Sequence, residues 1–274
     1  MTMNLNLSVL LSIYHKEKPE YFDRAMQSIW DEQSIKPNQI VLVKDGPLTQ
    51  ELEDAISYWK EKLKGVLDII TLEENVGLGD ALNIGLQQCK YDLVARMDTD
   101  DISTSDRFKE QLAVFEKKDI DICSSWVAEF DKDESTTVSF RKVPESDEEI
   151  RHFAKKRNPL NHPAVMYRKS KVVEAGGYQK MMWFEDYYLW SKMILHGAKF
   201  YNIQEPLVHM RAGYGQLERR SGMKYALSEI EFQKKLLNMG FIDKGEFIRN
   251  VSLRFISRIL PKRLVKIIYT KLRT

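Results

Sequence analysis

Three carboxylates stand within four residues at Asp98-Thr99-Asp100-Asp101, directly after the apolar run Leu93-Val94-Ala95. Crowded like charges repel unless a cation or several donors hold them. Alternate residues of an extended segment point the same way, so Asp98 and Asp100 share one face. Hard oxygen ligands of this kind suit Mg²⁺ or Mn²⁺ bridged to substrate phosphates. A plainer role is also open, because Asp101 or Ser103 would start the following helix well. Upstream, Gly77 and Gly79 allow close backbone approach and precede a helical pattern whose N-terminus favours anions. The chain has neither a Walker loop nor a Gly-x-Gly-x-x-Gly fingerprint, which argues against kinases and dehydrogenases.

The elements that must position these groups alternate. Leu7–Ile13, 39–44, 67–71 and 93–97 read as short apolar strands, and 20–30, 52–63 and 79–88 carry helical spacing. Strand–helix alternation predicts βαβ units and a parallel sheet covered on both faces. Such sheets bind ligands at the carboxyl ends of their strands. Tyr14 and His15, Asp45, Asn75 to Gly79, and Asp98 to Asp101 all fall there. The second half is less regular. Helices are expected over 108–115, 183–196 and 225–237, and extended segments over 122–130, 137–142 and 201–210.

The 274 residues are 43% hydrophobic and 30% charged, an ordinary globular composition. Cys89 and Cys123 are too few for a disulfide framework or a cysteine zinc site, and a reducing cytosol fits. No apolar run is long enough to span a bilayer, and the apolar start reads as a strand, not a signal peptide. The net charge of +2 hides an asymmetry: residues 1–246 carry 34 bases against 40 acids, and no acid follows Glu246. The eight bases after it are Arg249, Arg254, Arg258, Lys262, Arg263, Lys266, Lys271 and Arg273. Apolar residues recur among them at helical spacing, so the segment reads either as an anchor on an anionic membrane surface or as a helix packed on its own domain. Sparse aromatic residues argue against nucleic acid.

Several motifs, in order, resemble the inverting nucleotide-sugar glycosyltransferases of family 2, which have the GT-A fold. Ser8 to Tyr14 is similar to that family's opening strand, and Val41-Leu42-Val43-Lys44-Asp45-Gly46-Pro47 to its second, with Lys44 where many members have a first Asp. Asn75-Val76-Gly77-Leu78-Gly79, Ala81 and Asn83 resemble the stretch after the third strand. Asp98-Thr99-Asp100-Asp101 matches Asp-x-Asp-Asp, Glu185-Asp186-Tyr187 resembles the pair carrying the base, and 205–211 the segment closing the site. The likeness is greatest to bacterial O-antigen and exopolysaccharide enzymes of amylovoran type.

The resemblance implies an α/β GT-A domain over 1–215, with a mostly parallel nucleotide-binding sheet flanked by helices. A helical, basic, membrane-associating extension over 216–274 completes the chain. It implies transfer of glucose or galactose from a UDP-hexose to an undecaprenyl-diphosphate-linked sugar, with GlcNAc the expected acceptor, at the cytoplasmic face of the inner membrane. Asp186 is then the base and Glu185 its shape-holding or sugar-binding neighbour, both desolvated by aromatic residues. Their alternative role is to populate a helix N-terminus. Ser12, Tyr14, Asp45, Asn75, Gly77, Asp98 and Arg211 are candidates for the nucleotide sugar. Asp100, Asp98 and His209 are candidates for Mn²⁺ or Mg²⁺, although a lone His at a strand end is often structural. His162 and Trp183 are candidates for acceptor or phosphate, with Arg219 and Arg220 weaker anion partners. Two other classes use the same acidic residues: a nucleotidyltransferase or phosphohydrolase, and a non-catalytic membrane-surface scaffold.

Overall fold

A computed structural model describes residues 5–211 and 222–259, with side chains to residue 254. Strands β1 (Leu7–Ile13), β2 (Gln39–Lys44), β3 (Leu67–Thr71) and β4 (Leu93–Arg96) pair in parallel in the order β3-β2-β1-β4. Helices α1 (Pro19–Ile29), α2 (Gln50–Lys62) and α3 (Leu78–Gln88) make the crossovers between them. β1 is buried along nearly its whole length, as a strand covered on both faces must be. Alternate residues serve two cores. Val9 and Leu11 pack with Phe22, Met26 and Trp59 beneath α1 and α2. Leu10, Val41 and Val94 pack with Ala81 and Leu86 of α3. The second contact is close: a methyl group on Gly85 would sit 2.5 Å from Leu10 Cδ1.

The sheet then changes character. β8 (Met166–Arg168) pairs antiparallel with β4 and with β6 (Ile122–Phe130). β9 (Phe200–Arg211) runs parallel to β6, and the two-residue β5 (Ile102–Ser103) pairs antiparallel with β9. β7 (Thr137–Arg141) adds to the far end of β6. The result is a mixed sheet whose β3-β2-β1-β4 half is all parallel. Around it lie α4 (Arg107–Lys117), α5 (Asp147–Ala154), α6 (Lys169–Glu174), α7 (Glu185–Leu195), α8 (Met223–Asn238) and α9 (Lys244–Ile259). The sequence reading anticipates neither α5, α6, β5 nor β8, which are short and set by partners distant in the chain.

The helix expected from Trp183 begins at Glu185, because Trp183 takes a left-handed φ of 70°. The expected boundary at residue 215 falls among residues 212–221, outside the described residues, as do Arg219 and Arg220. Beyond it, α8 and α9 are no loose appendage: Phe232, Leu236, Phe241 and Ile242 share a core with Phe184 and Tyr187 of the α7 region. Arg254 turns inward to pair with Glu229 and the carbonyl of Lys156. Asn250 likewise points inward, donating to Lys155 O at 2.9 Å and Gln233 Oε1 at 3.0 Å. On the outer side of α9, Ile248 is 63% and Leu253 65% exposed. Among the described residues no helix is long and apolar enough to cross a membrane. Lys262, Arg263, Lys266, Lys271 and Arg273 lie outside them.

Candidate active site

The ends of β1 and β2 meet the N-terminus of α3. Asp45 N donates to Ile13 O at 2.8 Å, joining the β2 end to β1. Its buried carboxylate accepts from Val76 N at 2.7 Å, Gly77 N at 3.1 Å and Asn75 Nδ2 at 3.1 Å. Asp45, Asn75 and Gly77, predicted separately, thus form one unit that shapes the loop before α3. Gly46 next to it requires glycine: φ is +87° and a Cβ would lie 2.8 Å from Asn75 N. Lys44, at the position where a first Asp was missing, bonds Glu53 Oε2 at 2.7 Å. An open cleft of about 460 Å³ runs along this edge, lined by Asn75, Val76, Asp80, Asn83 and Lys180 among others. Ser12 lies in register with Val43 near the β1 end, and Tyr14 beyond it is exposed with its ring edge-on to His15.

The acidic cluster is held by arginines. Asp98 is clasped by the buried Arg96 through Nη1 at 2.5 Å and also through Nη2. Asp101 is buried and accepts from Arg211 N at 2.8 Å. Arg211 Nε donates to Asp100 O at 3.3 Å, and its guanidinium lies 3.8 Å from the Tyr21 ring and 4.6 Å from that of Phe130. Arg211, expected at a diphosphate, is therefore a clamp on the acidic loop. Burial, then the charges of Asp98 and Glu17, push the Asp100 carboxyl up to about 7. Burial, then Asp100 and Asp98, hold Asp101 well above the usual carboxylate range. Thr99 Oγ1 donates to Glu17 Oε2 at 2.7 Å and ties the β1–α1 loop to the cluster.

Among the described residues no three His, Cys, Asp or Glu side chains converge on a cation site. With Asp98 on Arg96 and Asp101 on the Arg211 amide, Asp100 is the half-buried acid whose environment calls for positive charge. One carboxylate plus substrate phosphates is an accepted mode for Mg²⁺, so this donor set fits a substrate-bridged ion. His209, the third candidate, lies on β9 with its Nδ1 buried and without a hydrogen-bond partner among the described residues. Its register partner is Ile102, and burial lowers its pKa, with the Glu134 charge opposing the shift and the Arg24 charge adding to it.

The N-terminus of α7 carries the second acidic pair. Burial, then the neighbouring Asp186 charge, push Glu185 up to about 7. Its Cβ is 3.7 Å from where a Cβ on Gly79 would be, so it faces the α3 N-terminus. Asp186 accepts from Asn158 Nδ2 at 2.7 Å and from Tyr187 N at 2.7 Å. α7 is fixed against α3 from the loop before it: Asn83 donates to Tyr178 O at 2.6 Å and accepts from Tyr178 N at 2.8 Å. His162 is bonded through Nε2 to Tyr178 Oη at 3.0 Å, edge-on to Trp190, and burial holds its pKa well down. Trp183 is 37% exposed two residues before Glu185, with its ring 5.1 Å from that of Tyr225.

Sequence reasoning missed Arg96, Asn158, Tyr178 and Glu17. Only Arg96 left a signal, a charge set between Leu93-Val94-Ala95 and Met97 in a run that otherwise reads as buried.

Residues 8–177 match the family model described as Glycosyl transferase family 2. The chain is 40% identical over 265 residues to the Escherichia coli UDP-Gal:α-D-GlcNAc-diphosphoundecaprenol β-1,3-galactosyltransferase, covering 96% of this chain and 95% of that one. It is 36% identical over 267 residues to the amylovoran biosynthesis glycosyltransferase AmsE of Erwinia amylovora, covering 96% and 98%. The fold is shared with S. aureus TarS 1–349 in complex with UDP-GlcNAc: TM-score 0.66, 17% identity, 93% of this chain and 72% of that one. It is shared too with the Pyrobaculum calidifontis mannosyltransferase PcManGT in complex with GDP-Man and Mn²⁺: TM-score 0.64, 14% identity, 92% and 69%. A longer TarS structure is matched over 43% of its length.

Proposed function

The chain belongs to glycosyl transferase family 2, and from that premise we propose that it moves a hexose from UDP to the sugar of an undecaprenyl-diphosphate carrier. The step would build an O-antigen or exopolysaccharide repeat unit. Galactose on GlcNAc is the first candidate, because the relative at 40% identity carries that activity in its name and aligns over 95% of its length. The observation that supports the reading is that the N-terminus of α3 takes the Asp45 carboxylate at Gly77 and meets Glu185 at Gly79, which brings the β2 end and the α7 acidic pair together.

Inverting transfer is a single displacement at the anomeric carbon. Asp45, Asn75 and Gly77 shape the nucleotide end of the cleft. Asp100 would hold Mn²⁺ or Mg²⁺, which neutralises charge on the departing diphosphate. Asp186 takes the proton of the acceptor hydroxyl, aimed by Asn158 and anchored on the Tyr187 amide. Glu185, turned toward the α3 N-terminus, shapes the donor side of the same pocket. Trp183 offers an exposed ring to the acceptor sugar. The exposed Ile248 and Leu253 of α9, in a segment without acids, suit a peripheral seat on the anionic cytoplasmic leaflet beside a lipid-linked substrate.

A donor panel tests the reading. Purified chain, Mn²⁺ and a synthetic GlcNAc-diphosphate lipid are incubated with UDP-galactose, UDP-glucose, UDP-GlcNAc and UDP-GalNAc. One productive donor, with stoichiometric UDP release, is expected. Release of phosphate or diphosphate instead, or no turnover of any donor, would overturn it.

A further inference from the structure

Arg96 is the last residue of β4, and its side chain is 1% exposed. A guanidinium at that depth is tolerated only when paired. Asp98, two residues on, closes on both Nη atoms. Bidentate pairing fixes a carboxylate in orientation as well as position. The backbone beneath is fixed too. Arg107, itself fully buried, donates to Arg96 O at 2.7 Å and to Gln111 Oε1 at 3.1 Å, and Arg96 N bonds Val165 O at 2.9 Å. Arg96 therefore sits in a frame built from β4, α4 and the strand after the His162 turn. Its charge is felt at Asp100, Asp101 and Glu185.

We infer that Arg96 is a positioning residue for the transfer reaction: by gripping Asp98 bidentately it fixes the Asp98-to-Asp100 segment in the form that presents Asp100 to a diphosphate-bound cation. The inference rests on the UDP-sugar reading of the site. A role in packing alone would need the bulk of Arg96, not its two-pronged grip. Lysine retains the charge and most of the length but cannot span both oxygens of Asp98.

The test compares the whole chain with Arg96→Lys, Arg96→Met, Asp98→Asn and the Arg96→Lys/Asp98→Asn double variant. UDP binding is measured by calorimetry in MnCl₂ and in EDTA, and turnover on the productive donor alongside. Arg96→Lys should weaken UDP binding in Mn²⁺ at least tenfold, leave binding in EDTA within twofold, and slow turnover at least tenfold. Adding Asp98→Asn to it should cost less than a further threefold, against at least tenfold in the wild-type background, because both changes break one unit. Arg96→Lys behaving like wild type within twofold, additive losses, or an equal loss of UDP binding with and without metal would each overturn the inference. Should Arg96→Met fail to fold, the lysine variant decides alone. A wild-type chain that binds no UDP would instead overturn the functional reading, and the inference with it.

Discussion

On the parallel side of the sheet, β2 and β4 deliver Asp45 and Asp98 to Asp101 at their carboxyl ends, within five residues of the strands that carry them. On the mixed side, Glu185 and Asp186 arrive on a helix N-terminus fixed by Asn83, Asn158, Tyr178 and the α8 helix, none of them near in sequence except the Tyr178 loop. The first region is carried at the ends of its own strands and then tied by Arg211, Glu17 and the α3 loop, whereas the second depends on cross-chain clamps throughout. Donor binding should therefore survive damage to the acceptor-side clamps, whereas catalysis should not.

The largest effect expected is on the base. Asp186→Asn keeps the shape of the side chain and removes its proton affinity, so kcat should fall by about 10²–10⁴-fold, as for loss of general base catalysis. Single-turnover kinetics checks this. A smaller effect comes from the clamp. Asn83→Ala removes a donor at 2.6 Å and an acceptor at 2.8 Å from the Tyr178 backbone and leaves both groups unpaired. That costs about 1–3 kcal/mol. The melting temperature should drop and kcat should fall, while calorimetry finds UDP binding unchanged within twofold. A matching loss of UDP binding would break the division between the two sides.

The smallest effect is on stability against pH. Folding raises the Glu185 pKa from 4.5 to about 7. Between those values the folded chain keeps a proton that the unfolded chain has released, so this group lowers stability as pH rises and costs its full amount above 7. Glu185→Gln should thus raise the melting temperature at pH 8 by roughly 2–4 °C and leave it nearly unchanged below pH 4.5. The same gain at both pH values would show that charge is not the cause.

The pattern of legibility follows the same divide. Strands β1 to β4 and the residues at their ends can be read from the sequence because apolar runs and turn residues are local. Asp45 is legible as a site residue, yet its grip on the Val76 and Gly77 amides is not, since the partners lie some thirty residues away. Asp98 reads as a ligand because its spacing from Asp100 is visible; the arginine that occupies it reads only as an oddity in an apolar run. His209 and Arg211 reach the mixed region on β9, whose register with β5 no local pattern encodes. The basic tail is legible as charge and period, but the inward turn of Arg254 depends on Glu229, a residue of another helix.

The most direct test of the division of labour is calorimetry of UDP with Mn²⁺ on Asp186→Asn and Asp100→Asn. Asp186→Asn should bind UDP within twofold of wild type while its turnover is lost. Asp100→Asn should lose metal-dependent binding at least tenfold along with turnover. Loss of UDP binding in Asp186→Asn, or full metal-dependent binding in Asp100→Asn, would contradict the account.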